Sequence, residues 1–293
     1  MTALNAGRAL LQACKKGALA DVKSCTTRLL AISNAKETNQ PMRMAMGEAA
    51  FSGFTSSLRH LMASLPREHW QGCSGPWDPL IFSPLDGIPQ EWSGASMPNY
   101  VVYRAAAGGV PDALQALMDA GLKLNHPVER LGSPLGIAIL YQNLDLIRFL
   151  LAKGADPNNY YPFPCISLLH QAALLRSTVI IRLLLDHGAT MRGSKALQGA
   201  AQVGSVEAAA LALQLGEDVD EVFRWDMCDQ EDVDIIGTAL HVAVRHNQEA
   251  MVEFLLRRGA RQNLLDGAGG TVKTLAAEIG NLRMIRLLQQ YEH

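Results

Sequence analysis

Nine carboxylates crowd the stretch between Glu217 and Asp234, namely Glu217, Asp218, Asp220, Glu221, Asp226, Asp229, Glu231, Asp232 and Asp234, against the single cation Arg224. A loop this acidic is ordinarily solvated. Its aromatic content opens a second reading. Phe223 and Trp225 stand beside Asp226, and a carboxyl pressed against such a wall loses solvation, so its pKa rises and it becomes a usable acid or base. Arg245 and His246 follow soon after. A buried carboxylate near a guanidinium or imidazole makes an acid–base pair, though an ordinary salt bridge is the commoner outcome. Asp226, Glu231, Arg245, His246 and Tyr141 are thus the candidate catalytic residues. Cys73 and Cys228 fall in loops, but their spacing to any His matches no zinc pattern. No metal and no cofactor is expected.

Whatever positions these residues must itself be regular, and the segment that follows them is. Gly237-Thr238-Ala239-Leu240-His241-Val242-Ala243, then Val252, Leu255-Leu256, Gly259-Ala260 and Asn263, reads G-T-x-L-H-x-A … V-x-x-L-L-x-x-G-A-x-x-N. This string resembles an ankyrin repeat. The position of its Leu recurs at Leu10, Met46, Val102, Leu135, Leu169, Leu197, Leu240 and Lys273, at intervals of 36, 56, 33, 34, 28, 43 and 33, against a period of about 33 for that family. Gly121, Gly154, Gly188, Gly216 and Gly259 sit where a helix ends in a left-handed residue. Ser133-Pro134-Leu135 and Ser167-Leu168-Leu169-His170 repeat the chemistry of a helix start. Two apolar-periodic helices lie between start and stop, and neither can bury its face without the next unit.

The resemblance implies an all-α fold, an α-solenoid of stacked helix-turn-helix units with a concave groove. A single domain over 1–293 is expected, with repeats near 5–33, 42–65, 99–125, 132–158, 166–192, 194–220, 237–263 and 270–291 and insertions at 66–98 and 221–236. Lys273 and the polar tail from Gln289 suit a terminal capping repeat. His170 and His241 occupy the His of the motif, where the family's histidines bond neighbouring backbone. Met44, Met46, Met62 and Met118 are expected in the core. Gly267 to Gly270 reads as a turn between repeats, because no strand leads into it as a phosphate loop requires.

Departures from the family pattern carry the functional information. All four tryptophans lie in the two insertions, Trp70, Trp77 and Trp92 in the first and Trp225 in the second. Burying a tryptophan contributes on the order of 3 kcal/mol, so each needs a surface to pack on, and the concave face is the nearest. In this family the two residues after the A-A of each first helix face the partner and are usually polar. Here the series is Lys15-Lys16, Phe51-Ser52, Ala107-Gly108, Leu140-Tyr141, Leu174-Leu175, Gln202-Val203, Arg245-His246 and Glu278-Ile279. Its middle is apolar. Either the insertions cover that stripe or they roof a cavity for an apolar ligand. The ligand-binding candidates are Phe51, Trp70, Trp77, Trp92, Leu140, Tyr141, Leu174, Leu175, Val203 and Trp225.

At 293 residues, 48% hydrophobic and net charge −2, the chain carries a sizeable core and no basic field for nucleic acid. Five cysteines without a C-x-x-C pair fit a reducing compartment, the cytoplasm or the nucleus. No apolar run reaches the ~20 residues of a membrane span. The expected function is a binding protein whose apolar central groove, flanked by the Trp-bearing insertions, holds an apolar small molecule or a partner segment. The alternative is a cofactor-independent enzyme of the cyclase, isomerase, dehydratase or hydrolase type, working in that groove by acid–base catalysis. With no nucleotide loop or nucleophile elbow, kinases, dehydrogenases and α/β-hydrolases are disfavoured. Oligomeric state is left open.

Overall fold

A computed structural model describes residues 3–32, 35–64, 99–128, 131–162, 165–222 and 237–291. The described residues are mostly helical, and they fall into two compact units, 1–129 with 133–155 and 130–132 with 156–293.

The first unit holds four helix pairs: α1 (Ala3–Lys16) with α2 (Leu19–Ile32), α3 (Ala35–Phe51) with α4 (Thr55–Ser64), α5 (Asn99–Gly108) with α6 (Pro111–Asp119), and α7 (Pro134–Leu140) with α8 (Leu144–Ala152). The first helices form one layer, α1 on α3, α3 on α5 and α5 on α7, and the second helices pack behind them. Leu10, Met46, Val102 and Leu135 are fully buried at the centre of that layer. Small residues make the approach possible: Ala49-Ala50 and Ala105-Ala106 have no exposed surface. α3 starts at Ala35, ahead of the position near 42 expected from its repeat, and carries Pro41 inside. A Cβ on Gly7 of α1 would lie 2.8 Å from the Pro41 ring, so the extra turns are seated on α1 at a glycine.

The second unit holds α9 (Leu168–Leu174) with α10 (Thr178–Asp186), α11 (Ala196–Val203) with α12 (Val206–Gln214), α13 (Ala239–Arg245) with α14 (Glu249–Arg257), and α15 (Val272–Ile279) with α16 (Leu282–Gln290). Again the first helices stack in order, α9 on α11, α11 on α13 and α13 on α15. A two-stranded antiparallel ribbon precedes α9, β1 (Tyr160–Pro162) against β2 (Cys165–Ser167), with Tyr160 opposite Ser167. Among the described residues it is the one sheet, a local hairpin on the all-α frame.

One feature shared by all eight pairs had no counterpart in the motif. Seven residues after each aligned Leu position the backbone turns left-handed, at Gly17, Gly53, Gly109, Gln142, Arg176, Gly204, Asn247 and Gly280. This is the tight turn between the two helices of a pair. Three of the residues there, Gln142, Arg176 and Asn247, are not glycine, so the signal is hidden at those turns; a left-handed non-glycine costs roughly 1–2 kcal/mol. The core expectation needs one correction. Met42 and Met46 are fully buried, but Met44 between them is 42% exposed, because residues four apart share a helix face and the one midway does not. Met62 and Met118 are half-buried. No described helix is long and apolar enough to cross a membrane.

Candidate functional site

Helix starts set where the row of first-helix ends lies, and they are fixed by side chains in three ways. Ser133 and Ser167 accept from the backbone N–H of Gly136 (3.3 Å) and His170 (3.0 Å). Thr238 and His241 form a reciprocal box, with the Thr238 N–H donating to His241 Nδ1 at 3.2 Å. α11 differs. Its cap residue Lys195 is left-handed and offers no side-chain cap. Glu217 replaces it from the far end of the same helix pair, its carboxylate accepting from Ala196 N (3.0 Å), Leu197 N (2.6 Å) and Ser194 Oγ (2.6 Å). Desolvation pushes the Glu217 carboxyl above its ordinary range, against the pull of those three donors. The sequence carried a signal for this. Glu217 follows Gly216 where Ala155, Ala189 and Ala260 follow the corresponding glycines.

The two motif histidines are structural, as the resemblance implied. His170 Nδ1 lies 2.7 Å from the carbonyl oxygen of Lys195, and burial pushes its pKa down to about 4. His241 is fully buried and also lowered by desolvation, with Asp266 opposing. The glycine-rich segment is a turn held by Asp266, whose Oδ1 accepts from Ala268 N (3.0 Å) and Gly270 N (2.8 Å).

In the first unit the ends of α3 and α7 carry exposed large apolar residues, while α1 ends in the exposed Lys15 and Lys16. Phe51 is 38% exposed, Leu140 41% and Tyr141 44%. Two residues of α5 hold the aromatic members. The Arg104 guanidinium lies 3.8 Å from the centre of the Phe51 ring and bonds Glu48 at 2.9 Å. The Tyr103 hydroxyl meets the Tyr141 hydroxyl at 2.5 Å, with the rings tilted 58°. Motif reading missed Tyr103, Arg104 and Glu48. Tyr103 stands in register with His170 and His241, which was the available signal.

In the second unit Leu174, Leu175 and Val203 are half-buried, so they present less apolar surface than their first-unit counterparts. Arg176 donates to the Val203 carbonyl. Arg245 pairs with Asp266 at 3.5 Å, the carboxylate being 5% exposed, and His246 is an exposed residue ending α13. The structure thus ties Arg245 to the turn carboxylate Asp266, and it places Tyr141 in the other unit. Asp226, Glu231, Trp70, Trp77, Trp92, Trp225, Cys73 and Cys228 lie outside the described residues. Among the described residues no cluster of three or more His, Cys, Asp or Glu could hold a metal ion.

Comparison with known proteins agrees with this architecture. Residues 165–266 match the family model for ankyrin repeats (3 copies), and residues 131–159 match that for a single ankyrin repeat. Ankyrin repeat and SOCS box protein 11 of Homo sapiens is 30% identical over 164 residues, covering 53% of this chain and 48% of that protein. The B-cell lymphoma 3 protein homolog of Mus musculus is 28% identical over 165 residues, covering 53% and 35%. The chain therefore spans about half the length of the ankyrin repeat and SOCS box protein 11 sequences it matches. Among solved structures, the human ASB11 ankyrin repeat domain superposes with a TM-score of 0.53 at 25% identity, covering 66% of this chain and 83% of that one. An ankyrin repeat domain from Acinetobacter baumannii gives 0.51 at 25% identity, covering 66% and 97%. Family models, relatives and folds agree with the helix pairs and turns described above: residues 131–159 and 165–266 are ankyrin repeats, and the chain has the fold of ankyrin-repeat proteins.

Proposed function

We propose that this protein is a non-catalytic binding protein that takes a segment of a partner protein along the row of first-helix ends. The supporting observation is the exposed apolar set Phe51, Leu140 and Tyr141, three large side chains in one row of the first unit. Left uncovered, such a patch favours association, and in a monomer it usually marks an interaction site. The half-buried Leu174, Leu175 and Val203 give the second unit a weaker apolar surface of its own, so the site is assigned to the first unit. A partner segment fits this row better than a small apolar molecule does, because the apolar residues lie along a line of helix ends. Aromatic anchors of this kind dominate protein–protein affinity.

The test is a paired substitution. Leu140→Ser with Tyr141→Ser trims two side chains that are 41% and 44% exposed and leaves the Tyr103 hydroxyl without its partner, so folding should weaken by about 1–3 kcal/mol, with the helical circular dichroism spectrum retained. Partners recovered with the native chain by quantitative affinity purification should fall about tenfold or more. Val179→Ser, at a 50% exposed site on α10, should leave recovery unchanged. Equal recovery with the double variant would sink the proposal.

A further inference from the structure

Building on that binding role, we infer that the first-unit row recognises a peptide in which an apolar side chain stands about five or six residues from one or more carboxylates. Three observations converge on this chemistry. First, the row has a seat. Between the exposed rings of Phe51 and Tyr141 come Ala107 and Gly108, and Gly108 lies so close to α3 that a Cβ would sit 2.3 Å from the Phe51 carbonyl oxygen. The half-buried Ala107 and Gly108 contribute no side-chain bulk beyond one methyl group, with an aromatic residue on the helix to either side held by Arg104 and Tyr103, which suits a single aliphatic or aromatic side chain.

Second, the walls are fixed before a partner arrives. Arg104 stacks on Phe51 and is itself held by Glu48, while Tyr103 bonds Tyr141. Side chains already held in place lose less freedom on binding, so more of the contact energy is realised as affinity. The Glu48–Arg104 pair also leaves the seat with no net charge.

Third, the row changes character toward α1. Lys15 and Lys16 end that helix, both exposed, and no described carboxylate pairs with either. Their charge suits the C-terminal end of a helix and still faces solvent. From α1 to α5 is two helix-to-helix steps, about 16–20 Å at 8–10 Å per step. An extended peptide covers that distance in about five or six residues at ~3.3 Å each. The same row thus offers an apolar seat and a positive end at a fixed separation, and a partner with the reverse pattern, carboxylate then apolar anchor, complements both.

A displayed library of random dodecapeptides, selected on the full chain at low salt, supplies the probes. The winners are resynthesised with a fluorescent label and followed by anisotropy. Enriched peptides should combine Leu, Ile, Met or Phe with Asp or Glu at that spacing. Their affinity should fall about tenfold or more with Tyr141→Ser, and about threefold to tenfold with Lys15→Gln and Lys16→Gln together, or on raising the salt. Replacing the peptide's acids by their amides should cause the same loss on the unaltered protein, a control that needs no protein variant. Winners that lose affinity with Tyr141→Ser but lack carboxylates, or ignore the lysines, overturn this inference and leave the binding role standing. No enriched peptide, or winners indifferent to Tyr141 and the lysines alike, overturns both.

Discussion

Lowering the pH from about 7.5 to about 5 should cost the folded chain about 2 kcal/mol through His170 alone. His170 is buried on α9 with Nδ1 donating to the Lys195 carbonyl, and its pKa is pushed from 6.5 to about 4. A folded-state pKa below the unfolded one means that the unfolded chain takes up the proton first as pH falls. The stability is therefore fully present above about 6.5 and is lost progressively down to about 4, where the total reaches roughly 3 kcal/mol at 1.36 kcal/mol per unit. At pH near 5 the unfolded imidazole is favoured about thirtyfold by protonation and the folded one hardly at all, which gives the 2 kcal/mol. The perturbation is His170→Gln, whose amide retains a donor toward Lys195 but does not titrate. Urea unfolding followed by far-UV circular dichroism at the two pH values gives the loss for each protein. The variant's loss should be smaller by about 2 kcal/mol, since the carboxylates contribute equally to both. A direct NMR titration of the His170 ring should show no protonation until the pH is well below 6. Equal losses in the two proteins, or a ring that titrates near 6.5, would show that burial does not hold His170 neutral.

Other expectations follow from single contacts. Glu217→Ala should restore the family's residue yet destabilise the chain by about 1–3 kcal/mol in urea unfolding, because the N–H groups of Ala196 and Leu197 lose their acceptor. Gln142→Gly should stabilise by about 0.5–1 kcal/mol, relieving a left-handed residue at φ 55 whose side chain is exposed; no gain in the urea midpoint would count against strain there. Gly108→Ala should cost about 1–3 kcal/mol, since the new methyl meets the Phe51 backbone rather than a flexible side chain, and an unchanged thermal midpoint would show that the α3–α5 approach is looser than described.

The frame was legible because its signals are backbone signals. Gly121 and Gly259 end helices where the chain must turn left-handed, and Ser133 and Ser167 start them, so their identities follow from local geometry alone. The motif histidines were legible as structural only through the ankyrin resemblance, in which they bond neighbouring backbone. What escaped the sequence was chemistry between repeats. Glu217 caps a helix twenty residues upstream in place of the expected Ser or Thr, with its acceptors facing Ala196 and Leu197, and an acidic neighbourhood made it look like part of a solvated loop. Arg104 and Tyr103 fix Phe51 and Tyr141 across helices separated by more than thirty residues of sequence in each case, which no local pattern encodes. The apolar row itself was read from the residues after each A-A. Phe51, Leu140 and Tyr141 are exposed, whereas Leu174, Leu175 and Val203 are half-buried, a difference that residue type alone does not encode.

Site-specific photocrosslinking tests the binding role most directly. A benzophenone amino acid at Leu140, and as a control at Val179 on α10, places the reactive group on two comparably exposed positions, 41% and 50%. The binding role predicts a discrete protein adduct from position 140 that is suppressed by an excess of the unlabelled chain, and none from position 179. Adducts of equal yield from both positions, or an adduct from position 179 alone, would contradict it.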